Sequence, residues 1–211
     1  MSPEFARAVD PIFLRVIAMI ERIERGDTLV AAEEIVKIRR EFDSAEAVLG
    51  ANPEWALAKY ALAAWTDALL SESSWDERDW WNNNALEVEF FRTREAYQEF
   101  YIRAREATSL PKKDALEVFF VCVLLGFRGM YSHSVVEEAE QLNLPKDLGS
   151  WTKQIGMAIQ LGKGRPSITD KSRPGEGAPP LEGKFMMVGS SLLSVVLLAF
   201  TVIFFYAFVW H

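Results

Sequence analysis

Residues 115–127 read ALEVFFVCVLLGF, thirteen positions of which only Glu117 is charged. A run this apolar suits a buried strand, which its β-branched and aromatic residues favour, or a buried helix. Two features decide for the helix. Pro111 sits where a first helical turn accepts proline, and Gly129 sits where a helix ends. In addition, no partner strand is evident, and no Asn-Gly or Asp-Gly turn joins two alternating runs. An apolar helix without a polar face belongs in the middle of a body. Phe120 and Leu125 are therefore expected in its core.

Upstream the pattern is helical as well. Asp10-Pro11 reads as an N-cap and first helical position, followed by Ile12, Phe13, Val16, Ile17, Ile20 and Ile23, with Gly26 as the stop. Asp27 is predicted to cap a second helix that ends at Gly50. The break is short, so the two should form an antiparallel hairpin. Asn52-Pro53 opens a third helix carrying Trp55, Tyr60, Leu62, Trp65 and Leu69. Residues 71–84, SESSWDERDWWNNN, read as a polar, aromatic connector. Thr93 is predicted to cap a helix from Arg94 to Ala107. No 34-residue period marks a tetratricopeptide array.

Downstream, helices are predicted near 133–142 and 148–161, the second capped by Asp147. Residues 162–184 hold five glycines and four prolines and read as a basic, flexible linker. From Phe185 to Trp210 there are 26 consecutive uncharged residues. A span needs roughly 20 such residues, so 185–210 is predicted to cross a membrane once. Lys163, Arg165, Lys171, Arg173 and Lys184 precede it and only His211 follows, which places the N-terminal side in the cytoplasm. The start MSPEFARAVD has no apolar signal segment. The expectation is an all-α, tail-anchored protein. It has a cytoplasmic body of about seven helices over 1–161, a linker over 162–184, a transmembrane helix over 185–210, and His211 on the far side.

Composition narrows the function. The chain of 211 residues has 23 basic and 30 acidic side chains, a net charge of −7. The linker is net basic, so the body is more acidic still, which argues against a nucleic-acid partner. The lone Cys122 forbids an internal disulfide, and two histidines, His133 and His211, provision little metal chemistry. Gly162-Lys163-Gly164 lacks the spacing of a phosphate loop, Gly126-Phe127-Arg128-Gly129 is a weak match to a GxxG clamp, and no Glu-x-x-His pattern is present. No enzyme, cofactor or metal site is expected. Tryptophans beside acids stand out instead. Asp67, Glu72, Trp75, Asp76, Glu77 and Trp80 combine apolar area with charge and are candidate partner-binding residues. In the span, Gly189, Ser190 and Ser194 have small-residue spacing that lets two helices approach, a candidate association face.

Leu125-Gly126-Phe127-Arg128-Gly129-Met130-Tyr131 resembles the LGFRGrY signature of the DotU/IcmH (TssL) family, inner-membrane components of type VI and type IVB secretion systems. The preceding DALEVFFVCVLL and the helix YALAAWTD at 60–67 are similar to family segments too. The family's Asp-Glu pair is here Asp67-Ala68, with the glutamate role lost or moved to Glu72. Its Gly-Gly-Glu is Arg94-Glu95-Ala96, and Met130 replaces an arginine. The resemblance implies a hook of two small helical bundles, a homodimer, a complex with an IcmF/TssM-like membrane protein, and docking of a cytoplasmic baseplate through TssK-like and TssE-like subunits. Type VI is preferred over type IVB. The rival function is a generic tail-anchored adaptor presenting a helical protein-binding domain. Within the motif, Leu125, Gly126, Phe127, Arg128, Gly129 and Tyr131 read as structural. Gly126 admits a neighbouring helix, Gly129 takes a left-handed conformation, and Arg128 serves the helix end or pairs with a body carboxylate.

Overall fold

The computed structural model describes residues 1–132, 136–162 and 183–209, the side chains of 136–138, 183–190 and 207–209 excepted. His133, His211 and nearly all of the predicted linker lie outside the described residues. Two units emerge, Met1–Pro166 and Ser167–His211. Among the described residues ordered structure is helical throughout, as the all-α reading expects.

Helix α1 (Pro3–Glu24) begins two turns before the predicted start. Ser2 caps it, its Oγ accepting from the Phe5 N–H at 3.4 Å. Pro11 is thus inside the helix, where the missing N–H forgoes one hydrogen bond. Packing outweighs that loss, because Phe5, Val9, Ile12, Phe13, Val16, Met19 and Ile23 form one buried stripe. The helix closes at Gly26, whose φ is +80°. Gly26 N–H donates to Ile23 O and Asp27 N–H to Arg22 O, the paired bonds of a Schellman stop. Asp27 does not cap α2 (Ala31–Leu49); Val30 precedes that helix without a side-chain cap, and Asp27 lies beside Arg22 and Arg25. The α1–α2 pair packs together as predicted.

Helix α3 (Pro53–Glu72) starts as its sequence suggests, with the Asn52 side chain accepting from Glu54 N–H at 3.0 Å. It is the central helix. Residues 60–67 are buried without interruption, and Ala58, Ala61, Ala63 and Ala64 let neighbours close in around it. The predicted connector contains α4 (Arg78–Asn83), and α5 (Leu86–Phe91) follows. Then come α6 (Ala96–Thr108), α7 (Asp114–Leu124), a 3₁₀ turn (Gly129–Ser132), α8 (Val136–Gln141) and α9 (Leu148–Gly162). Thr93 does not cap α6; Glu95 precedes it, and the Thr93 hydroxyl donates to Glu87 instead. Asp147 does cap α9, accepting from Ser150 N–H at 2.8 Å.

The 115–127 run is helical as far as Leu124, but it is not surrounded. Helix α7 buries Ala115, Leu116, Val118, Phe119, Cys122 and Val123 on one face. Phe120 is half-buried, and Leu124 and Leu125 are exposed, which corrects the core placement of Phe120 and Leu125. The helix lies parallel to α3 in constant register. Glu54 Oε2 accepts from Ala115 N–H, Cys122 Sγ lies 3.7 Å from Ala61 O, and Trp65 Nε1 donates to Leu125 O. The partners differ by 61, 61 and 60 residues. Helix α3 packs against α1 and α2, against α4 and α5, and against α6 and α7, and α9 packs on α7.

In the second unit α10 runs Gly183–Val209, 27 residues. Its described large apolar side chains, from Leu192 to Tyr206, are all exposed. By contrast the apolar segment Asp114–Ser132 is 44% buried, and its hydropathy reflects the core of the body.

Candidate functional site

Helix α7 stops at LGFRG by the same device as α1. Gly126, at φ +112°, follows the last turn. Gly126 N–H donates to Val123 O and Phe127 N–H to Cys122 O. A Cβ on Gly126 would sit 3.3 Å from Leu69 Cδ2 of α3, so the close approach expected of this glycine is to α3. Gly129, also left-handed at φ +49°, has Tyr97 O and the Phe127 ring 2.9 Å from where its Cβ would be. The Arg128 guanidinium donates to Val123 O and Phe127 O, serving the helix end and forming no ion pair with a described carboxylate. Tyr101 donates to Arg128 O at 2.6 Å, and Tyr131 to Pro145 O at 2.6 Å. The stop turns Phe127 inward, stacked on Phe100 with ring centroids 3.9 Å apart.

This turn forms one wall of a cleft of about 340 Å³. Ala64, Asp67, Ala68 and Glu72 of α3 form another wall. Glu87 of α5, Arg94 and Tyr97 complete it. Among the described residues the charged lining is three carboxylates and one guanidinium. Among the described residues no group of His, Cys, Asp and Glu is arranged for a metal ion.

Asp67 organises the cleft from within. Its Oδ1 accepts from Trp81 Nε1 and Leu86 N–H, both at 3.0 Å, and its Oδ2 accepts from Glu87 N–H at 2.8 Å. One carboxylate on α3 thereby fixes α4 and the start of α5. It is only 8% exposed, so the expectation of an exposed rim charge at Asp67 is corrected. The Asp-Trp proximity seen in the sequence is internal: Trp81 is fully buried against it. Glu87, also buried, holds the next stretch. Its Oε1 accepts from Tyr60 Oη and Thr93 Oγ1 at 2.8 Å and from Glu95 N–H at 2.9 Å.

Burial raises the Asp67 carboxyl to about 7, against the pull of its three hydrogen bonds. Between pH 4 and 7 the folded residue then holds a proton that the unfolded one has released. Stability from this group is greatest at the acid end and falls as pH rises, at its steepest by about 1.4 kcal/mol per pH unit. Chemical denaturation across that range should show the decline, and Asp67→Asn should remove it. An unchanged slope in the variant assigns the titration elsewhere.

The other candidate residues fall in two places. Glu72 is exposed and lines the cleft. Asp76 is exposed; Trp75, Glu77 and Trp80 are half-buried along the segment from α3 into α4. Trp75 donates its Nε1 to Leu70 O at 2.8 Å, which holds its ring against the body. Glu87, Arg94 and Tyr97 carry no mark in the sequence, where ALEVEFFRTREAY offers no spacing that sets them apart. In α10 Ser194 is exposed, while the side chains of Gly189 and Ser190 lie outside the described residues.

Two solved structures resemble the chain. The cytoplasmic domain of TssL from Acinetobacter baumannii matches at 23% identity and a TM-score of 0.56, covering 74% of this chain and 98% of that one. SciP/TssL from enteroaggregative Escherichia coli 042 matches at 18% identity and a TM-score of 0.50, covering 84% and 98%. At these identities the likeness is one of fold. No curated protein sequence matches. Residues 4–210 match the family described as type VI secretion system protein DotU. That match runs through both units, from α1 to the end of α10, and the chain belongs to the DotU family.

Proposed function

We propose that the protein is a non-enzymatic scaffold subunit of a type VI secretion membrane complex. Helix α10 anchors it in the inner membrane as a single span, and the helical body faces the cytoplasm. The carrying observation is the DotU match over residues 4–210, which includes both the cleft and α10. An uncharged 26-residue stretch behind a basic flank supports the anchor and its orientation. Within that complex it associates with an IcmF/TssM-like membrane protein and with a second copy of itself, the face around Gly189, Ser190 and Ser194 serving helix approach. It docks TssK-like and TssE-like baseplate subunits through the acidic, tryptophan-bearing segment Glu72, Trp75, Asp76, Glu77 and Trp80. Acidic charge steers a basic partner, and the half-buried indoles supply apolar area.

The test is capture of a TssK-like subunit by the full chain in detergent micelles. Glu72→Lys with Asp76→Lys, both exposed, should slow association and reverse its salt dependence. The melt should move little, since exposed changes shift stability by about 0.5 kcal/mol or less. Undiminished capture by the folded double variant would place docking elsewhere.

A further inference from the structure

Glu87 is 6% exposed, yet it is not fully used. All three of its hydrogen bonds fall on Oε1. Oε2 accepts none and is not sealed from solvent, and Glu87 lines the cleft. Asp67, on the adjoining wall, has both oxygens engaged by N–H groups. Neither carboxylate forms an ion pair with a cation among the described residues. Among the described lining residues the one guanidinium, Arg94, is exposed and donates to Asn82 O at 3.1 Å. A buried carboxylate without a counter-ion is costly, and a cation brought by a ligand relieves that cost in a site of reduced dielectric. The walls beside it are Ala64, Ala68 and Phe127, which suit an aliphatic stem leading to a charged head.

We infer that the cleft is a socket for one cationic side chain, arginine or lysine, of the docking partner, and that Glu87 Oε2 receives it. This deepens the docking reading and rests on it. Asp67 does not touch the incoming group; it sets the position of Glu87 by holding the first turn of α5. Glu72, at the mouth, adds attraction at longer range.

Methylguanidinium is the probe, with the isosteric neutral N-methylurea as control, followed by saturation-transfer NMR on the full chain in micelles. Methylguanidinium should bind weakly and be displaced by salt, while methylurea should give no signal. Glu87→Gln should weaken binding roughly tenfold or more, the range for a lost charge-assisted hydrogen bond. Because Glu87 also holds Tyr60, Thr93 and Glu95, a second variant avoids the risk of misfolding. Ala68→Lys, at a half-buried position on the cleft wall, leaves every carboxylate in place, fills the socket with the chain's own cation, and should abolish the signal with the melt retained. Equal binding of methylurea, or undiminished binding by either folded variant, overturns the socket. Partner capture measured on the same preparations separates the two readings: capture without methylguanidinium binding overturns the socket and leaves docking intact.

Discussion

Asp67→Lys should abolish the cooperative melt of the body. The substitution leaves Trp81 Nε1–H and the N–H groups of Leu86 and Glu87 without their acceptor. Each such buried donor costs about 1–3 kcal/mol. The three together are on the order of 5 kcal/mol, comparable with the whole stability of a domain, about 5–15 kcal/mol. The lysine ammonium would also sit where these three N–H donors converge. Circular-dichroism melting checks this. Asp67→Asn keeps one carbonyl acceptor and should fall between the variants. A wild-type melt for Asp67→Lys would refute the structural role assigned to this residue. The change is thus unsuitable as a probe of docking, which is why the docking test uses Glu72 and Asp76.

Phe127→Ala should lower stability by about 3–5 kcal/mol, the usual cost of deleting a buried phenyl ring. The ring stacks on Phe100, which in turn meets Phe119 edge-on at 4.8 Å. Tyr101, beside them, contacts Trp151 of α9 at 5.2 Å. Removing Phe127 opens a cavity at the meeting point of α6, α7 and the 3₁₀ turn. The urea midpoint should fall with the slope unchanged. Leu125→Ala, two residues earlier but exposed, should stay within about 0.5 kcal/mol of wild type. Equal effects for the pair would contradict the burial of one and the exposure of the other.

Much of the helical framework was legible because it is written in local chemistry. Asn52-Pro53, Gly26 and Asp147 act where their side-chain and backbone preferences place them. The sequence misleads where a tertiary partner overrides a local signal. Asp10-Pro11 has the form of a helix start, yet Phe5 and Val9 extend the buried stripe beyond it. The sequence hides the central helix for a related reason. Hydropathy favours α7, whereas α3 earns its place through alanines that permit contact on all sides. At the cleft, Glu72 was legible as an acid near aromatic residues. Asp67 is visible in the sequence but its inward role is not, because a charged residue beside tryptophans looks the same in sequence whether it greets a partner or ties down a loop. Glu87 was illegible: its partners Tyr60 and Asp67 are 27 and 20 residues away.

The parallel register of α3 and α7 bears on how the chain is made. Helices α1, α2 and α3 leave the ribosome as a unit, but Ala61 and Trp65 find their partners only when residues about sixty positions later have emerged. At bacterial translation rates of about 5–20 residues per second, that gap lasts roughly 3–12 s. For that interval the nascent chain carries an uncovered α3 face rich in alanine and tryptophan. Arrest of synthesis between Leu70 and Asp114 should therefore leave a species that binds holdase chaperones, and arrest beyond Tyr131, with the tunnel length added, should release it.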